Sequence, residues 1–415
     1  MHKVVTMKKL PLMFLFPLFG FASGNLGELL NLAEQNHYVQ SSRYQLESAQ
    51  EKAYSVKSGY LPSLSLGANQ TYNKEENMFT PEKSRTGSAT LSFMLYDGGK
   101  REAQFSQQNA LVKSATFSLS SVQNNVSLDV IYAYFNYLST QASLESTQQK
   151  KEQLLAERHR LEQFLSVGAV TEDELQKIIS SIEQTNVDIL TLKNTLNNIS
   201  NTLEYLTAER VEIKQGSSIL FQDVQKEQQR FDILALEESV KSAQEEANIA
   251  KSAHLPTFKI EDTYSRFKNE YANNAWESDK ENQNSIVLSM QWKLFDFGST
   301  SANVQAAQKN YLAKSSELAY EKHKAKASYL SAYNSYRTAL AKIEANKAKL
   351  RASEMTYDLV KKKFQQGIVN NVTYLDALSE KFDAQAQLQT ALNEVEYQKA
   401  VLLYEMGKEI KGAIQ

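Results

Sequence analysis

Leu95-Tyr96-Asp97-Gly98-Gly99-Lys100 decides the fold through what stands on either side of it. Behind it, Ala89, Leu91, Phe93 and Leu95 alternate with Ser88, Thr90 and Ser92, the period of a strand with one apolar and one wet face. Ahead of it, no Gly or Pro occurs until Gly168. These two residues are the usual interrupters of a helix, so 100–167 reads as one helix. At ~1.5 Å per residue it would measure on the order of 100 Å, over three times the ~30 Å of bilayer hydrocarbon. It must project into an aqueous space, turn at Gly168 and return. On the return, Ile182, Ile189, Leu192, Leu196, Ile199, Leu203 and Leu206 keep the spacing of a helix packed along a neighbour.

The same punctuation occurs twice. Phe295-Asp296-Phe297-Gly298 matches the first junction, and 69 residues separate Gly298 from Gly367 as they separate Gly99 from Gly168. Upstream, Leu61-Pro62-Ser63 is matched by Leu255-Pro256-Thr257, and Ala133-Tyr134 by Ala332-Tyr333. Five landmarks in one order predict a tandem duplication. Each copy is expected to hold a helix (about 27–58 and 228–253), two strands, a long helix and a return helix. Pro62 and Pro256 mark helix-to-strand entry, because Pro disfavours helix in the residue before it. Leu64, Leu66 and Ala68 supply the other strand of the first copy, and Ile286, Leu288, Met290, Trp292 and Leu294 one strand of the second. Thr257 to Phe267 is less regular, with Phe258, Ile260 and Tyr264 sharing a face with Asp262. The second return helix is expected to pack through Leu375, Leu378, Phe382, Leu388, Leu392 and Val395. Loops at 73–85 and 269–284 are polar.

Composition limits the function classes. The 415 residues include only 14 Gly, 5 Pro and no Cys, and 46 Lys+Arg against 48 Asp+Glu give a formal charge of −2. Without clustered basic residues there is no nucleic-acid face. Without Cys there is no disulfide, thiolate chemistry or lipid anchor on an N-terminal cysteine. The histidines (His2, His37, His159, His254, His323) are scattered, and no phosphate loop or nucleophile motif occurs. No enzyme, cofactor or metal site is expected. Lys3, Lys8 and Lys9, the apolar run from Leu10 to Phe21 and the small residues Ala22-Ser23-Gly24 have the layout of a secretory signal over 1–24. The expected organisation continues with repeats over 25–209 and 228–411, joined by a linker at 210–227, and a tail at 412–415.

Alternating strands could pack their apolar face on a soluble core, but everything else in the chain is long polar helix. In an outer membrane, four strands cannot close a barrel, since ~8 is the smallest that spans and an open edge in lipid leaves backbone groups unpaired. Chains must then share one barrel, two giving eight strands and three giving twelve.

In order and spacing, the duplicated Leu-Pro strand, the Tyr96-Asp97-Gly98-Gly99 and Phe295-Asp296-Phe297-Gly298 junctions, the long helices and the Gly168 and Gly367 turns resemble the TolC family of outer-membrane efflux proteins over about 26–410. The resemblance implies a mainly α protein with a transmembrane β part, three copies sharing a twelve-stranded barrel above a coiled-coil periplasmic tunnel. It implies a homotrimer in outer-membrane lipid, opened by a periplasmic adaptor (membrane fusion) protein and an inner-membrane pump of the resistance-nodulation-division type. Drugs or metal cations would be the cargo. A type I protein-secretion duct is the alternative, and a periplasmic coiled-coil adaptor or scaffold is the alternative from another class.

The resemblance also marks residues. Asp376, nine after Gly367, falls at a pore-facing carboxylate of the closed tip, Glu174 at an acid six after Gly168, and Phe364 at an aromatic three before Gly367. Val369 stands where the family has a basic residue and Thr373 where it has a second acid, so the closure is built differently here. Gly168, Gly367, Val167, Val170 and Val369 form the tips where an adaptor would dock. Asp97 and Asp296 are expected to cap the long helices, and Gly99 and Gly298 to allow the sharp turn. Tyr96, Trp292 and Phe295 suit the aromatic belt of a lipid interface.

Overall fold

The Gly-free runs form two helices of 67 residues each, α3 (Lys100–Ser166) and α6 (Ser299–Gln365). The computed structural model describes residues 22–75, 77–221, 228–272 and 281–415. In chain order the remaining elements are β1 (Ala22–Gly24), α1 (Leu26–Ala33), α2 (His37–Ser58), β2 (Ser63–Tyr72) and β3 (Lys83–Tyr96), then, after α3, α4 (Glu172–Thr207), β4 (Val211–Ile213), α5 (Phe231–Ser252), β5 (Thr257–Glu270) and β6 (Asn282–Gln291), with α7 (Asn371–Glu405) after α6. A 3₁₀ turn at Lys411–Ala413 closes the chain.

The tandem plan produces a wall with the same two edges at every level. Four strands pair antiparallel in the order β2-β3-β5-β6. Next to the sheet, α3 packs on α2 and α5, and α5 on α6. Further down, α3 packs on α4 and α7, and α7 on α6. One edge is therefore β2, α2 and α4, and the other is β6 and α6. Both edge strands keep an open ladder, and β2 is exposed along its whole length. None of the helices among the described residues is long and apolar enough to cross a membrane.

The sheet has two unlike faces. Leu64, Leu66 and Ala68 pair with Leu91, Ala89 and Gly87, which pair in turn with Asp262, Tyr264 and Arg266. Ile260 and Asp262 pair with Leu288 and Ile286. The expected register holds, and Asp262 does share the apolar face. Leu91 and Ile286 flank it, and its Oδ1 is enclosed without a hydrogen-bond partner. A slip of one residue would satisfy Asp262 only by turning every apolar neighbour to the wet side. Serines and threonines line the opposite face, with Ser63 and Ser92 hydroxyls 2.8 Å apart.

Several expectations need correction. The first helix is two helices, because the chain turns at 34–36 so that Asn36 can cap α2 through Tyr38 N–H (2.7 Å) and donate to Leu206 O (2.8 Å). The loops are shorter than 73–85 and 269–284, since β3 starts at Lys83 and β5 runs to Glu270; residues 273–280 lie outside the described residues. Trp292 and Leu294 fall beyond β6, which ends at Gln291 opposite Thr257, where Pro256 stops its partner. Trp292 still donates to His254 O (3.0 Å), and Phe295 packs on Phe297. In α7 the packed seam runs through Ala384, Ala391 and Val395, and Leu392 is exposed. Alanines let the helices approach closely, which a leucine repeat does not reveal.

The two junctions also differ. Asp296 accepts from Thr300 N–H at 2.9 Å and from its hydroxyl, which hold its carboxyl below the usual range. Asp97 makes no such cap, because Arg101 stands where Thr300 does and reaches back to Met94 O (2.6 Å) while stacking on Tyr60. Gly98 is needed for space as well as for its φ of 73°, since a Cβ there would sit 2.7 Å from Ser252 O.

The main core gathers where the expected linker and tail meet the helices. Leu26, Leu29, Leu30, Val39, Val130, Ile131, Tyr134, Leu203, Leu403 and Ile410 are buried together, each apolar side chain contributing ~1.5–3 kcal/mol. β1 pairs parallel with β4, and Ser218 exchanges two backbone bonds with Gln415. The described part of the expected linker, 210–221, and the tail at 412–415 thus belong to one belt around the middle of the wall. Residues 1–21 and 222–227 are outside the described residues, while Ala22–Gly24, at the expected signal cut, lies in the belt as β1.

Candidate functional site

At the end of the wall farthest from the sheet, both long helices stop in the same way. Ala169 N–H bonds to Phe164 O (2.9 Å) and Gly168 N–H to Leu165 O (3.0 Å); Ile368 N–H bonds to Lys363 O (2.9 Å) and Gly367 N–H to Phe364 O (3.0 Å). This six-to-one and five-to-two pairing needs a left-handed residue, and Gly168 and Gly367 supply it at φ of 70° and 71°. Asn370 then caps α7 through Thr373 N–H (3.0 Å). Glu172, Asp173 and Glu174 place negative charge on the first turn of α4, where free N–H groups and the dipole favour it.

The two hairpins are held by a core of Leu154, Leu161, Ile178, Tyr357, Phe364, Tyr374, Leu378 and Phe382. Phe364 stacks on Tyr374 with ring centroids 4.7 Å apart, and Tyr357 follows at 6.1 Å. Burial first, then Tyr357, pushes the Tyr374 hydroxyl far above its ordinary value, so it remains neutral. Arg160 of α3 lies between Phe164 (5.1 Å) and Phe364 (4.8 Å). Its Nε meets both oxygens of Glu157 at 2.9 and 3.1 Å. Asn371 of α7 donates to Glu174 O across the tip (2.9 Å).

These contacts sort the expected residues. Glu174, Phe364, Val170, Gly367 and Val369 come together around a cleft of about 460 Å³ that also takes in Arg160, Phe164 and Asn370. Asp376 and Thr373 lie apart from it, one turn from each other on the exposed side of α7, and the Asp376 carboxylate has no ion pair or hydrogen bond among the described residues. Phe364 does not join them on that exposed side, because it is buried behind them against Tyr374. Of the tip residues, Val167 and Ile368 are open, at 74% and 65%, Ile368 while also lining the cleft, whereas Val170 and Val369 are half-buried in it. Arg160, Glu157, Tyr374 and Asn371 were not expected. Arg160 has local partners in Glu157 and Phe164, but its tie to Phe364, on the other repeat, carries no local signal.

Among the described residues no group of His, Asp and Glu could hold a metal ion. Charges at the tip are paired, as Arg160 is with Glu157 and Lys177 with Asp173, or exposed, as Asp376 is.

The molecule was compared with known proteins. The chain is 25% identical to outer membrane protein TolC of Escherichia coli strain K12, over 92% of this chain and 83% of that one. It is also 25% identical to TolC of Vibrio cholerae, over 93% of this chain and 92% of that one. The solved structure of the outer membrane protein VceC from Vibrio cholerae superposes with a TM-score of 0.82 at 15% identity, over 93% of this chain and 96% of that one, a likeness of fold. The model for outer membrane efflux proteins matches residues 29–209 and 224–406, one stretch for each repeat. The chain belongs to the outer membrane efflux protein family, with its strands in the outer membrane and its helical wall in the periplasm.

Proposed function

We propose that three copies of this wall close into one tube, the exit duct of a tripartite export system, and that the helical hairpins gate its periplasmic end. The observation that carries the reading is that the protomer has matching open edges at every level, from β2 and β6 down to α4 and α6. Head-to-tail closure of such a wall leaves no unpaired strand in lipid. Charge favours the same contact, because α6 carries a large excess of Lys and Arg whereas α4 carries more Asp and Glu. An adaptor docks on the tips around Val167, Gly168, Ile368 and Gly367, and couples the duct to an inner-membrane pump of the resistance-nodulation-division type. Cross-linking the native cell envelope and identifying what co-purifies tests the partners; a secretion ATPase in place of such a pump would make this a protein-secretion duct.

Asp376 and Thr373 face the axis in this reading. Three symmetry-related carboxylates would form a ring that draws cations and couples their titrations. Asp376→Ala in planar bilayers is expected to raise single-channel conductance and remove most of the preference for cations over anions. Unchanged conductance and selectivity would leave Asp376 a solvated helix residue.

A further inference from the structure

The outward face of the sheet changes character within one row of side chains. Leu64–Leu91–Asp262 and Leu66–Ala89–Tyr264 belong to the lipid-facing band. Toward the loops, the next rows are Ala68–Gly87–Arg266, Gln70–Arg85–Lys268 and Tyr72–Lys83–Glu270. Alternate residues share a face, so Lys83, Arg85, Arg266 and Lys268 emerge on the lipid side directly beyond the apolar band. Two carboxylates accompany them at long range. Glu270 is 3.8 Å from Lys83 and 3.9 Å from Arg85, and Glu281 is 3.6 Å from Arg266. Lys268 has no ion pair among the described residues.

The fold does not account for this grouping. Arg85 and Lys268 stand directly opposite on neighbouring strands, and like charges in that position destabilise a sheet. Between them and the apolar band the side chains shrink to Ala68 and Gly87, and a Cβ added to Gly87 would meet nothing within 4 Å. The result is a cavity of about 760 Å³ whose lining includes Ala68, Gly87, Arg85, Arg266 and Lys268 and, beside Arg266, the carboxylate of Glu281.

We propose that this cavity holds the phosphate-bearing headgroup of a glycolipid in the outer leaflet. Guanidinium groups fork onto phosphate oxygens, and an ammonium adds a point charge, so a phosphomonoester would relieve the Arg85–Lys268 repulsion. The acyl chains would continue over Leu66, Leu64, Leu91 and Ile260, which lie on the same face. That continuity favours a lipid over a free anion, because a dissolved phosphate would use the cations and leave the apolar approach unused. Basic clusters at a membrane surface commonly recognise anionic lipid in this way. The proposal requires only that the strands lie in the outer membrane, and it stands or falls separately from the gate and its partners.

The test uses the full-length protein in phosphatidylcholine nanodiscs. It is loaded with the phosphorylated diglucosamine lipid of lipopolysaccharide, with that lipid dephosphorylated, or with inorganic phosphate, and retained ligand is read by native mass spectrometry. The wild type should retain the phosphorylated lipid, and R85Q/R266Q/K268Q should retain it roughly tenfold less or weaker still. Lys259→Gln on the opposite face should change nothing. Equal retention by wild type and triple variant, equal retention of the dephosphorylated lipid, or full displacement by inorganic phosphate would each overturn the proposal. If the triple variant does not assemble, Lys268→Gln, which breaks no ion pair, must still lower retention for the proposal to survive.

Discussion

Arg160→Ala is expected to loosen the tip by about 4 kcal/mol, and to do so in both hairpins at once. Breaking a buried ion pair costs ~3–5 kcal/mol, because the remaining charge is left without compensation. Here Glu157 keeps 11% and Arg160 27% of the side-chain surface exposed, so part of that cost is screened and the lower figure applies. The substitution also removes the cation stacked between Phe164 and Phe364, on the order of 0.5–1 kcal/mol for each ring. Hydrogen exchange should therefore quicken around 357–374 as well as around 157–164, although those segments are some two hundred residues apart in sequence. Arg160→Lys keeps the charge and loses the fork and the stacking, so it should fall between. The double variant Glu157→Leu/Arg160→Leu should recover most of the stability, because it leaves no unpaired charge. If the effect of Arg160→Ala stays within α3, the residue does not tie the two hairpins together.

The same residues show how far the sequence could be read. Breakers and alternation were legible, since each acts through local backbone rules: a residue before Pro leaves the helix, Gly turns left-handed, and period-2 residues share a face. Equal 67-residue helices and a register that keeps Asp262 among apolar neighbours follow from those rules alone. Where Asp97 fails as a cap and Asp296 succeeds, the difference lies four residues on, in Arg101 against Thr300. The tip was legible only as far as its turns. Phe364 could be marked from its distance to Gly367, but its burial against Tyr374 and its stacking under Arg160 depend on how α3 meets α6 and α7. The belt was hidden for a similar reason. β1, β4 and the tail are each too short to carry a pattern, and they gain meaning only when Ala22 meets Val211 and Ser218 meets Gln415.

Glycines that look alike in sequence should differ in how much they matter, and Gly407→Ala is expected to be the most damaging of them. Gly407 ends α7 with the pairing seen at the tips: Lys408 N–H bonds to Leu403 O (3.0 Å) and Gly407 N–H to Tyr404 O (2.9 Å), at a φ of 72°. Any L-residue there bears about 1–2 kcal/mol for the left-handed conformation. Gly168, at φ 70°, would bear that cost alone, because nothing lies within 4 Å of an added Cβ. At Gly407 the Cβ would sit 2.6 Å from Gln228 O and 2.7 Å from the carbonyl of Gln229. These are backbone atoms, so no side chain can swing away, and overpacking adds ~1–3 kcal/mol or more. The strand of chain that must move is tied down. Gln228 N–H bonds to Met406 O (2.9 Å), and Arg230 reaches Glu405 (2.7 Å) and stacks on Tyr404 (5.0 Å). Displacing it would pull the start of α5 from the end of α7, where the second repeat is stapled to itself. Gly407→Ala should thus lower stability by about 3–5 kcal/mol, against about 1–2 kcal/mol for Gly168→Ala. Unfolding rates of the detergent-solubilised assembly, followed by loss of its heat-modifiable band, measure both. Equal rates for the two variants would mean that the contact with Gln228 and Gln229 gives way without cost.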